Sequence, residues 1–238
     1  MNTVWRLAAL LVWLLSASSG ALSAASTVEV HRLQSAVLGR TLAFTVYRPA
    51  TTTSAARLPV LYLLHGAGGD EHSWVRQGRL QEVADRLIAS GEIGPMIIVM
   101  PGVGDCWWVD AAPCNLEAAL REELEPAVAA RGDVLQGRKG RAIAGASAGG
   151  HGALRLALKS PERFAAVVLM SPAVYAEAPP VYSKARQSPV FARSGGEFDA
   201  ALWSAHNYPA LLPAYAAGSA RLPVHIAAGD RDEYGITF

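Results

Sequence analysis

The chain has only two cysteines, Cys106 and Cys114, among 238 residues. Two thiols near each other without further ligand residues beside them do not make a tetrahedral metal site. No His-Glu-x-x-His occurs either. Metal-assisted chemistry therefore has no support in the sequence, and no metal is expected. An excess of charge is lacking as well. Lys and Arg number 21 and Asp and Glu 20, a net charge of +1 with no basic run. A nucleic-acid partner and an electrostatically held membrane surface are excluded on that ground. Repeats and low-complexity linkers are absent. So is an apolar run of the roughly 20 residues a membrane span needs.

What is present begins with an address. Met1 to Arg6 carries one positive charge, Leu7 to Leu15 is a short apolar run, and Ser23-Ala24-Ala25 offers small residues for cleavage. This pattern reads as a secretory signal peptide over residues 1–25, removed near Ala25. The mature chain is then periplasmic or secreted, with no membrane anchor. In that compartment Cys106 and Cys114 can close a small disulfide loop, with two free thiols as the alternative.

Residues 26–238 read as one domain, since apolar residues are 51% of the chain and charged residues 17%. Thr27–Leu33 and Thr41–Tyr47 are β-rich around a turn at Leu38-Gly39-Arg40, which predicts an antiparallel hairpin. Pro59–Leu64, Met96–Met100, Arg141–Ala144, Ala165–Met170 and Pro223–Ala228 are short apolar runs, expected as buried strands. Between them lie helical patterns. Gln77–Ser90 places Leu80, Val83, Ala84, Leu87 and Ile88 on one face. Asn115–Ala130 should kink at Pro126, and Ala148–Lys159 follows the third of the later strands. Alternation of this kind predicts an α/β fold with a doubly wound, mostly parallel sheet. Residues 172–222 break the pattern with Pro, Gly and aromatic residues, and read as an irregular cap.

The chemistry concentrates in Ala142-Ile143-Ala144-Gly145-Ala146-Ser147-Ala148-Gly149-Gly150. Gly145-x-Ser147-x-Gly149 at a strand-to-helix turn is the pattern of a nucleophile elbow, in which a strained serine projects its hydroxyl above the sheet. Alone, it is also compatible with a plain Gly/Ser-rich turn. His65-Gly66-Ala67-Gly68-Gly69 ends another strand with backbone free of side chains, which suits an oxyanion hole. A nucleotide-binding reading fails there, because Glu71 stands where the last glycine of G-x-G-x-x-G would be. His65 reads as a structural brace rather than a base. Trp107 and Trp108 either wall a pocket or pack as loop core. Gly229-Asp230-Arg231-Asp232 follows the last strand and also fits a charged turn capping a helix.

Together these motifs are more specific than any one. PVLYLLHGAGG, MPG…WWVD, REELEPAVAARG, GASAGGHGALRLALKSPERF and AAGDRDEY place the chain, over about Thr41 to Tyr234, in clear resemblance to the esterase D-like family of α/β-hydrolases. That family includes feruloyl and acetyl-xylan esterases, S-formylglutathione hydrolases and antigen 85-type mycolyltransferases. The resemblance implies an exported serine esterase acting without cofactor through an acyl-serine. It makes Ser147 the nucleophile, the amides of Ala67 and Ala148 the oxyanion hole, and Asp232 the catalytic acid, with Asp230 the rival. Its substrate would be a small-molecule or glycan ester. Acyl transfer to a sugar is the second reading, and glycan or lipid binding without turnover the third.

One departure stands out. The triad order of this fold puts the histidine after the acid. The six histidines here are His31, His65, His72, His151, His206 and His225, all before Asp232. His151 lies one helical turn beyond Ser147 and reads as a packing residue. The expectation is a chain incomplete at its C-terminus, lacking the last helix and strand; a natural short form that is catalytically crippled is the competing reading.

Overall fold

A computed structural model describes residues 25–50 and 57–231. Residues 1–24, which hold most of the signal peptide expected over 1–25, and Asp232 with the residues after it lie outside that range.

The central strands are apolar along their whole length because both faces are covered. Strand β3 (Val60–Leu64) and β4 (Ile97–Pro101) are the clearest cases. Their alternate residues feed two separate cores. Tyr62, Leu64, Ile97 and Val99 point into the larger one. Leu63, Ile98 and Met100 point into the smaller one, against the helix Leu80–Ala89. That helix packs through Leu80, Ala84 and Ile88, while Val83, expected on its inner face, is exposed. The larger core holds the helical stretch that starts at Leu116 and the helix Ala148–Lys159.

The hairpin forms as expected, with β1 (Thr27–Ser35) antiparallel to β2 (Arg40–Arg48). After β4 come a two-residue hairpin of β5 (Asp110–Ala111) and β6 (Cys114–Asn115), then β7 (Arg141–Ser147), β8 (Ala166–Pro172) and β9 (Val224–Ala227). The large sheet has the order β1-β2-β4-β3-β7-β8-β9. From β4 onward every pairing is parallel. Helices on both faces of such a sheet give the doubly wound α/β architecture. The carboxyl ends of β3, β4, β7 and β8 therefore share one rim, where open α/β sheets carry their sites.

Two expectations need correction. Strand β9 was expected to be buried, but all four of its residues are exposed, with Ile226 at 49%. Its pairing with β8 covers one edge and nothing among the described residues packs on its faces. The helix expected over Asn115–Ala130 is divided by a π-helical turn, Leu120–Leu124, just before Pro126. The Glu125 amide reaches back to the Leu120 carbonyl across the widened turn. Proline cannot donate to the ladder, so the distortion sits where a bond is already lost.

Two buried carboxylates tie this stretch to its neighbours. Glu117 receives Arg155 at 2.8 Å and also pairs with Lys159. Glu125 receives Arg163 at 2.7 Å and Arg141 at 3.2 Å. Burial holds the Glu125 carboxyl above its ordinary pKa, against the pull of both arginines.

Candidate active site

Ser147 sits at the last position of β7 with φ 53° and ψ −119°, and its side chain is exposed. A serine with this backbone costs about 1–3 kcal/mol and persists only where its surroundings enforce it. The enforcement is visible. A β-carbon on Gly145 would lie 2.2 Å from the Gly149 carbonyl oxygen, and one on Gly149 would lie 2.3 Å from that of Leu64. The helix Ala148–Lys159 can start this close to the strand only because those side chains are missing. The Ser147 carbonyl accepts the Ala173 amide at 3.0 Å, which fixes the elbow to the end of β8.

Beside it lies the loop that leaves β3. Leu64 pairs with Gly145 in register, and a β-carbon on Gly66 would be 3.4 Å from that of Ser147. The Gly66 carbonyl is held twice, by His65 Nδ1 at 2.6 Å and by the Gly69 amide at 3.1 Å. A trans peptide directs its N–H opposite its C=O. Fixing this carbonyl therefore fixes the Ala67 N–H on the opposite side. Ala148 is the first residue of its helix, where the amide has no partner within the helix. Both residues named from the sequence thus adjoin the serine: Ala67 through the Gly66 contact, Ala148 by covalent sequence.

His65 is buried and committed. Its Nε2 accepts the Val103 amide at 3.0 Å, so the proton resides on Nδ1 and is given to Gly66. Burial lowers its pKa, against small opposing pulls from the Gly66 carbonyl and nearby carboxylates. It is a brace. A second pair of backbone bonds, Gly68 to Gly104 at 3.2 Å and Gly104 to Gly69 at 3.0 Å, joins this loop to the one leaving β4.

That second loop carries both tryptophans, with φ of 47° at Trp107 and 59° at Trp108. Two successive left-handed residues send the indoles different ways. Trp107 reaches a cavity of about 270 Å³ beside Ser147, lined also by Gly66, Ala67, Ala173, Tyr175, Ser183 and Lys184. Both indoles are buried, Trp107 at 2% and Trp108 at 1% exposure; Trp108 donates to the His65 carbonyl at 3.0 Å and packs edge-on against the His65 ring. Of the pair, only Trp107 lines the cavity; Trp108 is loop core. The disulfide Cys106–Cys114 closes the loop behind them, Cα to Cα 5.8 Å.

The cap supplies the other wall. Its fully buried aromatics, Phe191 and Trp203, face Trp107 and His151 instead of solvent. Tyr175, Ser183 and Lys184 are the cap residues at the cavity. Sequence reading missed Ser183 and Lys184, since no local motif marks which polar residues of an irregular segment face a distant strand end.

None of the six histidines lines this cavity. His151 is wholly buried among Trp107, Phe191 and Trp203, as its packing role required. His206 is half-buried in the cap, and His225 lies on exposed β9. His31 stacks on Phe44, and His72 faces Glu71. Asp230 stands in the exposed turn after β9, while Asp232 is outside the described residues. Among the described residues, no helix is long and apolar enough to cross a membrane.

Comparisons with known proteins place the fold in a family. The model of the Esterase family matches residues 35–236. An endo-1,4-beta-xylanase/feruloyl esterase of Xylanibacter ruminicola is 36% identical over 124 residues, 50% of this chain but 17% of that protein. A solved ferulic acid esterase is 34% identical with a TM-score of 0.61, over 65% of this chain and 62% of that one. In fold, the chain is also similar to an S-formylglutathione hydrolase from Agrobacterium tumefaciens. There the identity is 24% and the TM-score 0.68, over 88% of this chain and 77% of the other. The chain thus spans less than two thirds of the first two relatives. With the family model covering the sheet from β2 onward, the elbow and the cap, the chain belongs to the Esterase family, the esterase D-like group of α/β-hydrolases.

Proposed function

We propose that the protein is an exported serine hydrolase of carboxylic esters, working through an acyl-serine. One observation carries this reading: the exposed hydroxyl of Ser147, on a strained left-handed residue, opens onto a cavity that the Gly66-Ala67 backbone also lines. Ser147 Oγ attacks the ester carbonyl. The amides of Ala67 and Ala148 receive the oxyanion, each such donor contributing about 3 kcal/mol to the transition state. The alcohol leaves, and water releases the acid from the serine.

Asp232 is the proposed acid, orienting a histidine base. None of the six histidines lines the cavity, so none is proposed as that base. Without it, turnover falls by about 10⁴–10⁶, leaving weak catalysis from the oxyanion hole and binding. Tyr175, beside the edge of the buried Trp107, offers aromatic surface for the acyl group, which favours a hydroxycinnamoyl-type acid. The named activities of the Xylanibacter ruminicola relative and of the solved ferulic acid esterase support the same choice. A cavity of about 270 Å³ suits one such acyl group and little more. Acyl transfer to a sugar and binding without turnover draw no support from a specific feature of the site.

The test uses p-nitrophenyl acetate, whose leaving group needs no protonation and so depends least on a base. Hydrolysis and acetylation of the peptide containing Ser147 are expected, and Ser147→Ala should lose both. Equal rates for the two proteins would end the proposal.

A further inference from the structure

Asp85 lies on the helix Leu80–Ala89, which covers the smaller core. It is half-buried, and its carboxylate accepts two hydroxyls. Tyr47 of β2 donates to one oxygen and Ser26 to the other, each at 2.7 Å. Tyr47 is wholly buried. Burial raises the pKa of its phenol and the bond to Asp85 adds to this, so the phenol stays neutral. No ion pair among the described residues includes Asp85. A charged oxygen pair is thus taken partly out of water with neutral donors only, and a cation beside it would gain more than at a fully solvated carboxylate.

Ser26 is gripped closely for a residue ahead of the first strand. Gln81 stands four positions before Asp85, on the same face of the helix. Its amide donates to the Ser26 carbonyl at 3.2 Å and to the Ser26 hydroxyl at 3.0 Å. From the next residue the chain is held in the sheet, with Thr27 opposite Arg48. The carbonyl and the hydroxyl of Ser26 are therefore both engaged by one helix, and its nitrogen is not. Covalent geometry and staggered rotamers put a serine nitrogen roughly 3–4 Å from its own Oγ. With that Oγ bonded to Asp85, the nitrogen lies within electrostatic reach of the carboxylate. A hollow of about 520 Å³ opens at this point, lined by Tyr47, Gln81, Asp85 and Ser26, and by Ala25.

Ala25 is also where the Ser23-Ala24-Ala25 pattern places the end of the leader. In the uncut chain the Ser26 nitrogen is a neutral amide. Hydrolysis of the Ala25–Ser26 bond adds one water. Its oxygen goes to the Ala25 carbonyl carbon, which departs as a carboxylate, and both its hydrogens end on the Ser26 nitrogen as an ammonium. An α-amino group ordinarily titrates at about 7.7–8.0, so it is charged at neutral pH.

We propose that the Gln81–Asp85 face of this helix is the binding site for the processed N-terminus: cleavage between Ala25 and Ser26 creates the ammonium that Asp85 lacks, and the pair fastens β1 to the helix. This rests on the export reading and is independent of the ester chemistry. The hairpin is then fully secured only after the leader has been removed, and the processed chain is more stable than its precursor.

Mass analysis of the exported protein should show Ser26 as its first residue. Urea unfolding of that protein is compared with a form beginning at Leu22, in which the Ser26 nitrogen is still an amide. Both are measured with Asp85 and with Asp85→Asn. The extension should lower the folding equilibrium constant by about fivefold in the Asp85 protein, and by less than about twofold in the variant. No effect with Asp85, or an equal effect in both, overturns the binding site and leaves the export reading standing. A different first residue overturns the assigned cleavage and the site with it. If Asp85→Asn does not fold, NMR titration of the Ser26 amino group in the unaltered protein decides. A pKa above the ordinary range of about 7.7–8.0 supports the pair, and one within or below that range overturns it.

Discussion

His65 gives its Nδ1 proton to the carbonyl of Gly66 at 2.6 Å, and so orients a peptide whose other end is the Ala67 amide. The imidazole is itself fixed from the far side by the Val103 amide at 3.0 Å. Its influence on the site is therefore geometric and passes through one peptide plane. Replacing it by alanine frees that plane and leaves the Val103 amide without an acceptor. His65→Ala should lower kcat for p-nitrophenyl acetate by about 10- to 100-fold, part of what a lost oxyanion donor costs, with KM changing less than threefold. Steady-state kinetics beside a thermal melt checks this. A fall in melting temperature with kcat intact would show His65 to be a packing residue only.

The close approach of helix and strand at the elbow makes a second expectation. A methyl on Gly149 would meet the Leu64 carbonyl oxygen at 2.3 Å and that of His65 at 2.6 Å, and backbone on a central strand cannot move aside cheaply. Gly149→Ala should destabilise by about 3 kcal/mol or more and displace Ser147. Gly94 has open space around its added β-carbon, so Gly94→Ala should change stability by about 0.5 kcal/mol or less. Urea denaturation of the two variants checks the contrast. Equal stabilities would mean the helix can withdraw from the strand.

How far the sequence disclosed this arrangement depends on how local each signal is. The elbow was legible because Gly145, Ser147 and Gly149 form a five-residue pattern, although the close approach that Gly149 permits is to Leu64 and His65 on another strand. The buried strands were legible because Val60–Leu64 and Ile97–Pro101 need apolar residues on both faces. The direction of Trp108 was not, since it depends on φ at two successive residues and on a carbonyl 43 positions away. Nor was Lys184, which reaches the site through the fold of the cap. Strand β9 misled because Val224 and Ile226 have strand composition whether or not anything covers them. The π turn at Leu120–Leu124 left no mark except the Pro126 beside it.

The Cys106–Cys114 bridge closes a loop with a sequence separation of 8, and that loop holds Trp107 and Trp108 in left-handed conformations. Such a loop contributes about 2–3 kcal/mol by restricting the unfolded chain. It also helps offset the backbone cost at the two tryptophans, each about 1–3 kcal/mol. The Cys106→Ala, Cys114→Ala pair should therefore lose about 2–3 kcal/mol in urea, and reduced wild type should match it. Because Trp107 lines the cavity, KM for an aromatic acyl ester should rise more than KM for an acetyl ester. Thiol titration of the unfolded, oxidised protein should find no free thiol; two would refute the bridge.

His151 sets an acid limit on stability. It is wholly buried against Trp107, Phe191 and Trp203, and neither ring nitrogen makes a hydrogen bond of normal geometry. Burial lowers its pKa to about 3, with Arg155 pushing the same way and the Trp107 backbone only weakly against it. In the unfolded chain the pKa returns to about 6.5. Between these values the unfolded state binds the extra proton, so stability falls as pH falls; above pH 6.5 the ring is neutral in both states and has no effect. At pH 4.5 the loss amounts to about 2–3 kcal/mol relative to pH 7.5. His151→Phe keeps an aromatic ring in the cage and removes the titration. The difference in unfolding free energy between pH 7.5 and pH 4.5 should shrink by that amount in the variant, whatever its absolute stability. His65 and His206, also lowered by burial, remain in both proteins and cancel in the comparison. An unchanged difference would mean that the ring is protonated in the folded state or that water reaches it.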